Sequence, residues 1–248
     1  MGGVSIVIPM RNEAENIGAL IDGIEAALAG EPLREIIVVD DGSTDGAGAV
    51  VAGRMAVVPH LRLLRHPVSA GQSAGVHSGV LAARHDLVCT LDGDGQNPPG
   101  ELPKLIAAYR RGGVGLVAGQ REVRQDTWSK RMASRFANRV RGWALADGTR
   151  DTGCGLKAFD RDAFLALPYF DHMHRYLPAL FGRAGHAVAH VDVAHQARGA
   201  GRSNYSNIQR GLVGAVDLLG VMWLIRRKKR AEAVESPQPL GAREPRHG

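Results

Sequence analysis

Asp92 and Asp94 lie two residues apart in the stretch Leu91-Asp92-Gly93-Asp94-Gly95-Gln96-Asn97-Pro98-Pro99, with only a glycine between them. The apolar run Leu87-Val88-Cys89-Thr90-Leu91 leads into them and reads as a buried strand. Two carboxylates projected from a strand end, with small residues beside them, suit a divalent cation that also binds a diphosphate. Magnesium prefers oxygen ligands, keeps several waters, and takes one or two carboxylates together with substrate phosphates. A bare Asp-x-Asp is equally well a turn that caps the next helix, so the rest of the chain must decide.

The elements around this pair alternate. Strands are predicted over Val4–Pro9, Glu35–Val39, Leu61–Arg65, Leu87–Leu91 and Leu116–Gly119. Helices are predicted over Glu15–Ala29, with Asn12 as N-cap and Ile17, Leu20, Ile21, Ile24 and Leu28 on one face, then over Gly46–Arg54 and from Gln72 to Arg84. A further helix, Glu101–Arg111, is opened by Pro98 and Pro99, as proline favours first-turn positions. This order predicts an α/β fold, Rossmann-like, with a mainly parallel sheet and helices on both faces. Ligands of such sheets bind at the carboxyl ends of the strands. Asp40, Asp41, Asp92 and Asp94 all fall at such ends. No G-x-G-x-x-G follows the first strand and no Walker lysine is present, so nucleotide binding would rest on acidic residues and a metal.

The 248 residues carry 31 Lys and Arg against 25 Asp and Glu, a formal charge of +6. That is enough chain for one sizeable α/β domain with appendages. A basic surface serves nucleic acid, anionic lipid or a phosphorylated substrate. Zinc-finger spacing, an RNA-recognition aromatic motif and a recognition helix are all missing from the sequence, which argues against nucleic acid as a partner. Cys89 and Cys154 make no disulfide framework and suit a reducing compartment. Met1–Pro9 reads as a strand rather than a secretory leader, and no apolar run reaches the roughly 20 residues of a spanning helix. The expectation is a cytoplasmic protein.

Six segments, in order, resemble family 2 glycosyltransferases of the GT-A fold, above all dolichol-phosphate mannosyltransferases and their bacterial polyprenyl-phosphate relatives. They are IVIPMRNEAENI, VVDDGSTDG, SAGQSAGVHSGVLAA, LDGDGQNPPGEL, DTGCGLKAF, and HRYLPAL followed by RGAGRSNY. The resemblance implies that Pro9, Arg11, Glu13 and Asp41 border the donor's nucleoside, with Asp40 near the base or ribose. It implies that Asp92 and Asp94 hold Mg2+ or Mn2+ on the diphosphate and that Gln96 lines the sugar pocket. The family often has an aromatic residue where Arg11 stands. Asp151 opens a loop that the resemblance puts under the reacting sugar, where glycines allow close backbone approach.

Departure of a nucleoside diphosphate builds negative charge that a metal offsets as a Lewis acid. The acceptor discriminates further. A sugar hydroxyl needs a general base, whereas a phosphate monoester, with a second pKa of about 6, already presents an oxyanion near neutral pH. A phosphate acceptor requires cations to overcome repulsion between two anionic substrates. Arg121, Arg124, Lys130, Arg131, Arg135, Arg139 and Arg141 supply them, on what reads in part as a solvated amphipathic helix over Trp128–Leu145. The resemblance implies that Arg121, Arg131 and Ser134 contact the acceptor phosphate, through guanidinium forks suited to it. It also implies that His174-Arg175-Tyr176 holds the acceptor side. The loop with Arg198, Gly199, Gly201, Arg202, Ser203 and Tyr205 would fold over the phosphates, although Asn204 replaces a lysine common there. His186, His190 and His195 fit no familiar metal spacing.

Gly211–Ile225 is apolar except Asp217, and as a helix spans about 22 Å, short of the roughly 30 Å hydrocarbon core. Arg226-Arg227-Lys228-Lys229-Arg230 follows at once, so Trp223 and these cations resemble an anchor at an anionic membrane surface. Docking on the protein's own core, or on a second copy in a homo-oligomer, is the other reading. Residues 231–248 read as a disordered tail. The expected organisation is a catalytic domain over 1–210, a basic surface helix over 211–230 and that tail. The resemblance implies a metal-dependent inverting transferase, peripheral on the inner face of the cell membrane. It would move a hexose, mannose from GDP-mannose, from a nucleotide-sugar donor onto a lipid-phosphate acceptor. A UDP-sugar donor or a sugar-hydroxyl acceptor is the alternative.

Overall fold

The computed structural model describes residues 2–121, 142, 145, 147–151, 153–196 and 207–227, with backbone alone over 207–212. Arg131, Ser134 and Arg202 therefore lie outside the described residues, as do most of the predicted helix Trp128–Leu145, the basic loop 198–205 and the tail.

Seven strands form one sheet: β1 (Val4–Met10), β2 (Arg34–Asp40), β3 (Leu61–Arg65), β4 (Leu87–Thr90), β5 (Leu116–Arg121), β6 (Lys157–Asp160) and β7 (Val188–Val193), in the order β3-β2-β1-β4-β6-β5-β7. Pairing is parallel except at β6, which runs antiparallel to both β4 and β5. The side-chain period of two sends alternate residues of a strand to opposite faces. Ile6, Ile8, Ile36 and Val38 join a core with α1 (Ala14–Ala27), α2 (Ala47–Met55) and α4 (Leu102–Arg110). Val7, Ile37 and Val39 join a second core on the other face. It contains α3 (Gln72–Ala82), α5 (Arg161–Leu165), α6 (Leu177–Ala184) and α7 (Asn207–Arg226). Strands buried on both faces must read as unbroken apolar runs, and VSIVIP and EIIVV do.

One predicted detail is corrected, and two strands are added. Asn12 does not cap α1: it sits in the left-handed region (φ 56°) and its amide oxygen accepts the Thr44 N–H at 2.9 Å. Asp45, from the loop after β2, takes the Ala14 N–H at 2.8 Å and the Ala47 N–H at 2.9 Å. One carboxylate thus serves the starts of two helices, where acidic groups are favoured. The strands β6 and β7 were not predicted, since each is short and interrupted by Lys157, His190 or Asp192.

Helix α3 lies close against β1 because it carries Gly75 and Gly79 on the sheet side. A Cβ on Gly79 would lie 2.3 Å from Val7 Cγ1, and one on Gly75 would lie 2.9 Å from Pro9 Cβ. That approach brings the helix's first residues, Gln72 and Ser73, over the carboxyl end of the sheet. Helix α7 docks through Val221, Leu218, Met222 and Ile225 on the second core. Asp217, the exception in its apolar run, lies with Oδ2 3.0 Å from His172 Nδ1. No helix among the described residues is long and apolar enough to cross a membrane.

Candidate active site

Four strand ends build the site. Asp92 and Asp94 follow β4, Asp40 ends β2 with Asp41 next to it, Pro9 is the penultimate residue of β1, and Arg121 ends β5. The antiparallel β6 contributes its beginning: Lys157 pairs with Thr90, so the loop 151–156 arrives beside Asp92. The expected aspartates do converge.

The turn carrying the twin carboxylates is pressed between neighbours. A Cβ at Gly93 would lie 2.9 Å from Met10 Cβ, and one at Gly155 would meet the Asp92 carboxyl at 2.3 Å. Gly155 is held there by its carbonyl, which accepts the Thr90 hydroxyl at 2.7 Å. Asp92 Oδ1 accepts from Gln72 Nε2 at 2.6 Å, and Oδ2 from Asn97 Nδ2 at 3.4 Å. Asp94 Oδ1 accepts the Gln96 N–H at 3.1 Å, which fixes the turn and sets Gln96 beside it. Burial, and then the charge of Asp94, push the Asp92 carboxyl up to about 6. Two acids that repel one another while sharing a turn are a ready seat for a divalent cation. The donor set is oxygen only. No cluster of three or more His, Cys, Asp or Glu forms a metal cage among the described residues. The pair therefore suits a cation that completes its shell with water and diphosphate, as Mg2+ and Mn2+ do.

Asp41 has a different task. Its Oδ1 accepts from His66 Nδ1 at 2.7 Å and the Ala70 N–H at 2.8 Å; its Oδ2 accepts from the Ser69 hydroxyl at 2.7 Å and the Gly71 N–H at 2.9 Å. Burial alone would raise this acid, but these bonds, led by that of Ala70, hold it below the ordinary carboxylate range. With four donors on two oxygens, Asp41 shapes the loop that covers the end of β2. Asp40 is buried and accepts the Ser43 N–H at 2.9 Å, bracing the same rim. Pro9 is buried, Arg11 is exposed, and Glu13 accepts from Asn16 Nδ2 at 2.6 Å at the start of α1.

Arg121 and Asp151 form a buried two-pronged ion pair, Nη2 to Oδ1 at 2.8 Å together with an Nε–Oδ2 contact. Their side chains are 13% and 7% exposed. Asp151 also takes the Gly153 N–H at 3.1 Å. Arg121 thus folds the loop 151–156 onto the sheet, and Asp151 is tied to a permanent cation.

Two contributors, Gln72 and Lys157, were not singled out by the sequence, and His174 has a partner that it did not give. Gln72 holds Asp92. Lys157 is a buried ammonium, lowered by burial, that donates to the Cys154 carbonyl. His174, placed on the acceptor side by resemblance, bonds through Nδ1 to the Ser73 hydroxyl at 2.7 Å; burial and then the charge of Lys157 keep its imidazole neutral, well below the ordinary value. Each signal lay in the segments SAGQS, GLKAF and HRY, but no spacing rule links residues so far apart.

Residues 5–168 match the profile described as Glycosyl transferase family 2. The chain belongs to this family. Over 234 residues it is 32% identical to a dodecaprenyl-phosphate galacturonate synthase of Rhizobium johnstonii, covering 92% of this chain and 68% of that one. Over 221 residues it is 33% identical to an undecaprenyl-phosphate 4-deoxy-4-formamido-L-arabinose transferase of Aeromonas hydrophila, covering 87% and 65%. The chain thus spans about two thirds of the length of these curated relatives. Among solved structures, glucosyl-3-phosphoglycerate synthase from Mycobacterium tuberculosis, in complex with Mn2+, uridine-diphosphate-glucose and phosphoglyceric acid, superposes with a TM-score of 0.70. The two are 20% identical, with 90% and 79% covered, which establishes the shared GT-A fold.

The raised acid gives a signed expectation. Asp92 binds its proton more tightly when folded than when unfolded, so the metal-free protein should lose stability as pH rises from about 4 through about 6. Added Mn2+ should raise the melting temperature above pH 6 and have little effect at pH 5, where the proton competes. Thermal melts across that range check this; an Mn2+ shift that is the same at pH 5 and pH 8 would contradict it.

Proposed function

We propose that this chain is a metal-dependent, inverting glycosyltransferase that carries a sugar from a nucleoside diphosphate to a polyprenyl phosphate at a membrane surface. The observation that carries this reading is the division of labour among the carboxylates. Asp92 and Asp94 crowd on one turn, while Asp151, on the adjoining loop, is committed to Arg121. A hydroxyl acceptor calls for a carboxylate able to take its proton. A phosphate acceptor brings its own oxyanion and calls for guanidinium groups instead. The relatives that act, by name, on dodecaprenyl and undecaprenyl phosphate support the same acceptor class.

Asp92 and Asp94 would hold Mg2+ or Mn2+, whose Lewis acidity offsets charge on the departing diphosphate. Gln72 and Asn97 keep the Asp92 carboxyl oriented towards that position. The positive end of α3, starting at Gln72, faces the same region and favours anions there. The rims braced by Asp40 and Asp41, with Pro9, Arg11 and Glu13, would take the nucleoside, and Gln96 the sugar. Arg131, Ser134 and Arg202 are assigned to the phosphates through the family resemblance. The named relatives transfer galacturonate and a formamido-arabinose, neither of which is mannose. Mannose is therefore not the sugar proposed, and both UDP- and GDP-sugars stand as donors to be tested.

The membrane part of the reading rests on α7. Its outward face presents Val213, Val216, Leu219 and Trp223, from 41% to 70% exposed, directly before the basic run Arg226–Arg230. Such a stripe beside cations fits an anionic membrane surface on the cytoplasmic side. Leu219→Glu should lower the fraction that co-sediments with phosphatidylglycerol vesicles several-fold without moving the melting temperature. A concentration-dependent dimer lost in that variant would assign the stripe to a second copy instead.

The transfer itself is tested by offering UDP- and GDP-sugars with undecaprenyl phosphate and Mn2+, then extracting labelled lipid. Asp94→Ala should lower transfer by about a thousandfold. Arg131→Ala should raise the KM for the lipid about tenfold while donor hydrolysis persists. Transfer to a soluble sugar that Asp151→Asn abolishes would favour the hydroxyl-acceptor alternative.

A further inference from the structure

Helix α3 begins at Gln72, after Gly71 with its positive φ of 90°, and no side chain caps it. The first N–H groups of a helix have no partner within it, so a first turn without a cap tends to fray. Gln72 is exposed, and a long exposed side chain has many rotamers open to it. Its direction depends on the turn that carries it. That direction matters, because Gln72 Nε2 donates to Asp92 Oδ1 at 2.6 Å. Something other than a cap must hold this turn.

Two side chains from other elements do so. Asp41, after β2, accepts the N–H groups of Ala70 and Gly71. His174 meets the buried Ser73 twice. Its Nδ1 bonds to the Ser73 hydroxyl at 2.7 Å, and its main-chain N–H donates to the same oxygen at 3.4 Å. His174 stands on a single turn, Met173–Arg175, that is itself well fastened. Met173 is buried in the second core, and the Tyr176 hydroxyl donates to the Gly214 carbonyl at 3.2 Å. His172 Nδ1 lies 3.0 Å from Asp217 Oδ2 on α7. A firm support thus reaches α3 one residue from Gln72, and Gln72 reaches the turn of the twin aspartates.

We propose that His174 is a positioning residue for the divalent cation: through Ser73 it fixes the first turn of α3, which aims Gln72 and so keeps the Asp92 carboxylate in one orientation. This rests on the transferase reading above. It moves His174 from the acceptor side, where the resemblance puts it, to the donor side. His174 touches neither cation nor substrate in this role and acts through two intervening residues.

The experiment measures Mn2+ binding with UDP saturating, from loss of the free-ion paramagnetic resonance signal, and amide hydrogen exchange in the metal-free protein. Wild type is compared with Ser73→Ala, His174→Leu, His174→Asn, Gln72→Ala and the double variant Gln72→Ala/His174→Leu. Ser73→Ala and His174→Leu should each weaken Mn2+ binding about fivefold, the worth of about one hydrogen bond. Both should speed exchange at the amides of residues 75–77 by a similar factor. Both should leave the KM for undecaprenyl phosphate within about twofold. His174→Asn, whose amide can take the place of Nδ1, should keep most of the affinity. The double variant should bind Mn2+ no more weakly than Gln72→Ala alone, because the two residues act in series. Fully additive losses overturn the proposal. So does unchanged Mn2+ affinity with a raised KM for the lipid, which would return His174 to the acceptor side. If His174→Leu does not melt cooperatively, Ser73→Ala, which removes a single oxygen, decides by the same two outcomes. A wild type that binds neither UDP nor Mn2+ is a separate result, which overturns the transferase reading and this inference with it.

Discussion

Two carboxylates held on one turn against their own repulsion are the constraint around which this molecule is organised. Asp92 and Asp94 would relax apart on a free loop. Here Gly93 packs on the end of β1, Gly155 packs on the Asp92 carboxyl, and Gln72 grips it from α3. Small residues at 93 and 155 are therefore as much a part of the site as the acids. The cost appears in Asp92, whose proton is retained up to about 6. A divalent cation bearing a diphosphate would relieve that repulsion, and its binding would then be coupled to the geometry of the turn.

The surrounding charges are arranged so that each has one task. Asp45 joins the starts of α1 and α2, Asp41 gathers the loop 66–71, and Asp151 binds Arg121. Each is satisfied by the protein itself. On the proposed reading, the twin acids would meet the donor's metal and the cations that the sequence supplies after β5 would meet phosphates. Such a site would take an anionic donor and would favour an acceptor that arrives already ionised.

Much of the fold was legible because parallel strands buried on both faces must be apolar throughout. VSIVIP, EIIVV and LVCTL could hardly be anything else, and the acids following them had to lie at one edge of the sheet. The antiparallel β6 was not legible: KAFD is four residues with a charge at each end, and its pairing with β4 depends on contacts more than sixty residues apart. The same distance hid Lys157 as a member of the site, and no local pattern marked Gln72 as the partner of Asp92. The capping of α1 was misread for a related reason, since a local Asn was overruled by a carboxylate from another loop. The roles of Arg131, Ser134 and Arg202 rest on resemblance and lie outside the described residues.

The position of the cation decides the role of the twin aspartates. Crystals grown with UDP and Mn2+, measured at the manganese absorption edge, would locate it directly. A single manganese peak within about 2.2 Å of a carboxylate oxygen of Asp94 or Asp92, bridged to the diphosphate, is the result this account requires. UDP bound with no manganese at that turn, or manganese held only by histidines elsewhere, would contradict it.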